Sequence, residues 1–146
     1  MGRKLRLRVS KNPILSISRI VTPPERTAYL AIASRPLRYR YGRSRIAYVG
    51  TTRAGIRRVA ASAAGKAPAI LNAPGVKRVD FYAVTCRPGP QGRIWKNLER
   101  GLLLVFRELY GEIPHYNAKS RRMKWGAERK YFSRSFLERV ILQFAK

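Results

Sequence analysis

Few side chains in this 146-residue protein are equipped to do chemistry, and they follow one another at telling intervals. Tyr48 stands just before Gly50, Arg58 follows that glycine by eight residues, and Glu99 and Asn117 come later. A glutamate can hold a hard cation or pair with an arginine. A guanidinium presents a rigid donor fork that suits a phosphate oxygen. A phenol, with a reference pKa of about 10, is a poor base near neutrality unless positive charge lowers it. Each residue also has an ordinary reading: packing for the tyrosine, solvation for Arg58, an ion pair for Glu99, a turn cap for Asn117.

Other chemistries are thin. Asp80 is the sole aspartate and His115 the sole histidine, and nothing ties a serine to them, so a Ser-His-Asp device finds no support. The single cysteine, Cys86, excludes an internal disulfide and any cysteine-based zinc site, and reads as a small buried residue. Six glutamates complete the acids (Glu25, Glu99, Glu108, Glu112, Glu128 and Glu138), too few to converge on a two-metal centre. There is no Walker loop and no dinucleotide glycine fingerprint.

The elements that must position these residues are readable. Residues 27–33 (TAYLAIA) and 45–49 (RIAYV) predict two strands joined by a basic, aromatic hairpin with its turn at Gly42. Residues 56–64 predict an alanine-rich helix stopped by Gly65, and 68–74 a turn-rich or short helical connector. Residues 79–85 predict a third strand. Ile94–Tyr110 carries the strongest helical stripe, with Trp95, Leu98, Leu102, Val105, Phe106 and Leu109 at three- and four-residue steps and Gly111 at its end. Glu99 lies at the edge of that stripe. After an irregular basic stretch over 114–130, residues 135–144 predict a last helix with Phe136, Val140 and Phe144 on one line. The expected fold is a small single α/β domain whose three-stranded mixed or antiparallel sheet is flanked by helices. A basic arm (1–24) precedes the core (25–117), and a basic extension (118–146) packs on it.

In this order the chain resembles the GIY-YIG nuclease family. The resemblance rests on Ala47-Tyr48-Val49-Gly50-Thr51, on Arg58, on Leu98-Glu99-Arg100-Gly101-Leu102-Leu103, and on Pro114-His115-Tyr116-Asn117. Tyr29 in Thr27-Ala28-Tyr29 occupies the tyrosine position of a degenerate first motif. The likeness covers residues 27–117 and departs at Thr27 and Ala28, in the long Tyr29–Tyr48 interval, and in the absence of a first-helix histidine between Ala61 and Gly65. It implies a Mg²⁺-dependent endonuclease leaving 5′-phosphate and 3′-hydroxyl ends. Glu99 would hold one Mg²⁺, Arg58 would contact a non-bridging phosphate oxygen, and Tyr29 or Tyr48 would orient or deprotonate the attacking water.

Charge points to the partner. With 32 Lys and Arg against 7 Asp and Glu, the net charge is +25, yet 45% of residues are apolar, so a basic body with a core is expected rather than a disordered tail. Nucleic acid is the expected partner, DNA favoured and RNA possible, because neutralising phosphates releases condensed counterions. No membrane association is expected, whereas a protein partner or larger assembly remains open. The chain lacks a secretory signal pattern and reads as intracellular. Candidate nucleic-acid contacts are Arg38, Tyr39, Arg40 and Tyr41 of the hairpin; Arg53, Arg57 and Lys96 near the motifs; and His115, Asn117, Lys119, Arg121, Arg122, Lys124 and Trp125. Tyr39, Tyr41 and Trp125 are the candidates for stacking on unpaired bases. The alternative function is a non-catalytic nucleic-acid binder on the same fold, such as an RNA-binding component of a ribonucleoprotein particle.

Overall fold

The computed structural model describes residues 8, 10–13, 27–52, 56–84, 94–118 and 123–146. Most of the expected arm over 1–24, together with Arg53, Cys86, Lys119, Arg121 and Arg122, lies outside the described residues. In chain order the elements are β1 (Thr27–Tyr39), β2 (Gly42–Thr52), α1 (Ile56–Leu71), β3 (Val79–Val84), α2 (Ile94–Tyr110), α3 (Glu128–Tyr131) and α4 (Arg134–Leu142). The strands form one sheet in the order β2-β1-β3, and β1 is antiparallel to both neighbours. The sheet is therefore antiparallel, and α1 carries the chain across β1 between two strands that run the same way.

The central strand is apolar on both faces because both faces are covered. Ala28, Leu30 and Ile32 join Leu98, Leu102 and Phe106 of α2 in the larger core cluster. Ala31 and Ala33 join Ala47, Ile70 and Val76 in a second cluster on the α1 side. The hairpin is longer than its apolar runs predict, with pairing that resumes at Leu37↔Ser44 and reaches Tyr39↔Gly42. Pro36 is tolerated because it falls where the ladder is interrupted, between Ile32↔Ile46 and Leu37↔Ser44. The turn residues are Arg40 and Tyr41, and neither has positive φ, so the tip is not the left-handed turn usual in two-residue hairpins. External bonds hold it instead. The Tyr41 N–H donates to the Tyr110 carbonyl (3.1 Å) and the Arg40 N–H to the Glu112 carboxylate (2.9 Å).

Helix α1 does not stop at Gly65. It continues through Gly65 and Pro68 to Leu71, because burying Ile70 against Ala31, Ala33 and Ala47 outweighs their poor helical propensity. Helix α2 ends at the expected glycine: Gly111 has φ +79° and its N–H bonds the Arg107 carbonyl (2.8 Å). In α4 the buried line is Leu137 and Ile141, one position round from the expected Phe136 line. Phe136 is 62% exposed and lies beneath the Arg139 guanidinium. Helix α4 packs closely on α2, since a Cβ on Gly101 would come within 2.9 Å of Leu137. Beside that contact Glu128 is buried and pairs with the Arg100 Nε at 2.7 Å. Among the described residues no helix is long and apolar enough to cross a membrane.

Candidate functional site

Tyr48 reaches its place through a β-bulge. Ala31 pairs with Tyr48 and Ile32 with Ile46, so β2 carries Ala47 as an extra residue between them. Strict alternation from Ile46 would turn Tyr48 toward α2. The bulge turns it toward α1, where Ala47 is buried and Tyr48 packs beside it. There it meets Tyr29, with ring centroids 6.1 Å apart at an angle of 44°. Tyr29 pairs across the ladder with Gly50, and a Cβ on that glycine would lie 2.5 Å from the Tyr29 ring and 2.7 Å from the Tyr48 ring. Gly50 is required by that space.

Helix α1 lines the pair with one face. The Ser62 and Tyr29 hydroxyls share a short, buried hydrogen bond. One turn on, the Lys66 ammonium lies 5.2 Å from the Tyr48 ring centroid and donates to the Tyr116 carbonyl (3.0 Å). One turn before, exposed Arg58 is near enough to favour ionisation of both Tyr48 and Glu99. From the other side of the sheet, α2 brings Glu99 to the end of β2, where the Thr51 hydroxyl donates to its carboxylate (3.3 Å). Glu99 is half-buried and makes no salt bridge with a described residue.

The titration behaviour follows from this placement. Burial, then the neighbouring Tyr29 hydroxyl, then Glu99 push the Tyr48 phenol up to about 12, against the opposing pull of Arg58. Tyr48 is a neutral phenol at pH 7, because the lowering by Arg58 is outweighed by burial, Tyr29 and Glu99. Burial likewise raises the Glu99 carboxyl above its ordinary value, against the Thr51 hydroxyl, Lys96 and Arg58.

The candidates thus separate. Tyr48, Arg58, Glu99 and exposed Lys96 share one end of the sheet, where β2 ends and α1 and α2 begin. Tyr29 lies there too but is only 1% exposed, so it positions Tyr48 and touches no substrate. The Asn117 amide is engaged within the protein: it accepts from the Val49 N–H (2.9 Å) and donates to the Val49 carbonyl (2.8 Å), clamping the outer edge of β2 beside Tyr48. Tyr39 is not a stacking platform, because it is 4% exposed, packs edge-on to Phe106 and donates its hydroxyl to the Ile46 carbonyl. Trp125 is half-buried, with its indole N–H on Glu108 and Arg129 over its ring. Arg38, Arg40, Tyr41, Arg57, His115 and Lys124 are exposed. Thr51, Ser62 and Lys66 are the residues sequence reasoning missed. The one signal for the last two was their spacing of four and eight residues after Arg58, which puts all three on one helix face.

No family model matches the chain, and neither a curated protein nor a solved structure matches it.

Proposed function

We propose that the protein is a Mg²⁺-dependent endonuclease that hydrolyses phosphodiester bonds in DNA at the end of the sheet occupied by Tyr48, Arg58 and Glu99. One observation carries the reading: Glu99, a scarce acid in a chain of net charge +25, is half-buried without a salt bridge to any described residue, beside an ordered tyrosine and an exposed arginine. Ionised burial without a paired cation costs stability, and a ligand role explains why it is kept.

The donor set fits one Mg²⁺. Among the described residues no three His, Cys, Asp or Glu side chains cluster, so the described residues offer no all-protein cage. A lone carboxylate suffices for an ion that keeps most of its waters and takes phosphate oxygens as further ligands. Glu99 would hold it, and the ion would supply charge neutralisation at the phosphoryl group. The chain's own residues do the rest. Arg58 binds a non-bridging phosphate oxygen through its fork. Tyr48, as a neutral phenol, accepts from the attacking water and orients it rather than taking its proton. That proton passes to solvent as the new P–O bond forms. The P–O3′ bond breaks, and the 3′ oxygen takes a proton from solvent. Tyr29, Ser62 and Gly50 fix where that hydroxyl points.

The test is cleavage of supercoiled plasmid and of single-stranded RNA, with Mg²⁺ or with EDTA, by the wild-type and Glu99→Gln proteins. Mg²⁺-dependent nicking that disappears in the variant while binding persists is the expected result. Salt-sensitive binding with no cutting supports a second reading, a non-catalytic nucleic-acid binder of the kind found in ribonucleoprotein particles. The raised phenol of Tyr48 and the buried hydroxyl of Tyr29 favour that reading, since neither group is a ready base.

A further inference from the structure

The hairpin tip carries a second concentration of charge, far from Glu99 and rigidly held. Arg38 and Arg43 pair across the ladder and so lie on one face of the sheet. Their neighbours Tyr39 and Gly42 occupy the other, where Tyr39 is buried against α2. Arg38 and Arg43 therefore share the face that bears Tyr29 and Tyr48. Arg40 is exposed at the turn, and Tyr41 beside it is 68% exposed although its ring rests against Gly111. Among the described residues none of the three arginines makes a salt bridge, whereas Arg78, Arg100 and Arg134 do. The two backbone bonds to Tyr110 and Glu112 fix the tip before any ligand arrives, which lowers the entropy cost of binding there.

The tip and the site are also physically joined. The His115 Nε2 bonds the Arg38 carbonyl (2.8 Å), the Tyr116 carbonyl accepts from Lys66, and Asn117 clamps Val49. Residues 115–117 thus run beside the outer edge of β2 from the tip toward Tyr48. Cations accompany that path, Arg38 and Arg43 at one end, Lys66 along it and Arg58 at the other. From the Tyr29↔Gly50 pair to the Tyr39↔Gly42 pair the ladder takes seven steps, because residues 33–36 of β1 bulge out opposite Arg45. At about 3.3 Å per step this spans roughly 23 Å. That length corresponds to about seven base pairs at ~3.4 Å each.

Resting on the nucleic-acid reading above, we infer that the hairpin tip is a second phosphate-binding anchor. One DNA duplex lies along the β2 edge and is gripped at both ends, roughly two-thirds of a helical turn apart. The tip then fixes how far from its grip the cut falls.

The experiment is equilibrium binding by fluorescence anisotropy in EDTA, so that no cleavage intervenes. It compares a 24-bp duplex with a 4-bp hairpin stem too short to reach both ends. The tip variant is Arg38→Ser/Arg40→Ser/Arg43→Ser, and the charge-matched control is Arg129→Ser/Lys130→Ser/Arg139→Ser on α3 and α4. The expected result for the tip variant is a loss of tenfold or more on the 24-bp duplex, with the log-salt slope reduced by about 2–3. On the 4-bp stem its loss stays within twofold, and the control loses less than the tip variant on the long duplex. Equal losses from tip and control, or equal losses on long and short DNA, overturn the inference. Unchanged thermal midpoints exclude misfolding as the cause. Absent cleavage with this binding pattern removes the nuclease reading and leaves the anchor standing. A wild-type protein that binds no DNA removes both.

Discussion

Tyr29 and Tyr48 share one face of the sheet, 6.1 Å between ring centroids, because β2 holds an extra residue at Ala47. Bulges commonly re-aim a side chain beside a functional site. Here the re-aimed group is the phenol that faces Arg58 and Glu99 across the strand end, and its partner Tyr29 is locked to Ser62. On the proposed reading, the group that orients the small nucleophile stands on an inflexible support. The supporting groups Tyr29, Ser62 and Gly50 are all buried.

Gly50 is the tightest point of that support. A Cβ there would come within 2.5 Å of the Tyr29 ring, whose hydroxyl is tied to Ser62 and cannot simply swing aside. Gly50→Ala is expected to cost about 1–3 kcal/mol in chemical denaturation, in the range of core overpacking. Nicking should fall further than stability does, since Tyr48 is displaced as well. An unchanged denaturation midpoint would show that the two rings are looser than described.

The two tyrosines should part company on substitution. Tyr48→Phe leaves the fold intact and lowers nicking roughly 100-fold, a loss typical of a group that positions a reacting water. Tyr29→Phe instead leaves the Ser62 hydroxyl buried without its partner and costs about 1–3 kcal/mol of stability. The pH dependence follows from the raised Tyr48 value. Its folded pKa, about 12, lies above the unfolded value near 10, so the folded state holds the proton more tightly. The resulting stability is fully present below about pH 10 and is lost as pH rises toward 12. Denaturation midpoints of wild type and Tyr48→Phe across pH 8–11.5 check this, and a loss equally steep in the variant would assign the effect elsewhere.

Asn117 acts on Tyr48 through the backbone. Its amide satisfies both polar groups of Val49, the residue between Tyr48 and Gly50, on an edge of the sheet that would otherwise be open. Asn117→Asp keeps the acceptor for the Val49 N–H but sets a carboxylate against the Val49 carbonyl. It should cost about 1–3 kcal/mol and reduce the cleavage rate without altering DNA affinity. An affinity loss with an unchanged rate would return Asn117 to the role of a nucleic-acid contact.

Much of this fold is legible in the chain, and what is hidden has identifiable causes. Helix α2 announces itself because its stripe is long, periodic and ended by Gly111. The three strands are visible as apolar runs, though their ends are not, since residues 36–45 extend the hairpin through bonds from Tyr110 and Glu112 that no local pattern encodes. Helix α1 outruns Gly65 and Pro68 for Ile70, a tertiary reason invisible to propensity. At the site, Tyr48, Arg58 and Glu99 are found by type and spacing. Ser62 and Lys66 are not, because a serine and a lysine on a basic helix look like surface until Tyr29 and Tyr48 are turned toward them. Tyr39 fails as a surface aromatic for the converse reason: alternation in an irregular strand hides which face it takes.

Glu99 gives the sharpest division between a site and a structural ion pair. Burial raises its carboxyl above the ordinary value, while the unfolded chain titrates near 4.3. The folded state therefore holds the proton more tightly, and ionisation of Glu99 opposes folding. That penalty is fully present above the folded pKa and vanishes below the unfolded one. Glu99→Gln keeps an acceptor for Thr51 and removes the charge, so the variant should unfold at a higher temperature than wild type at pH 7. The gap should close as pH falls below about 4. Mg²⁺ should raise the wild-type midpoint and leave the variant's unchanged, because only an ion that binds the folded state shifts the equilibrium. Plasmid nicking should drop 100-fold or more. A carboxylate kept to neutralise an arginine predicts the reverse on every count: a less stable variant at pH 7, no response to Mg²⁺, and DNA affinity that rises with the loss of negative charge.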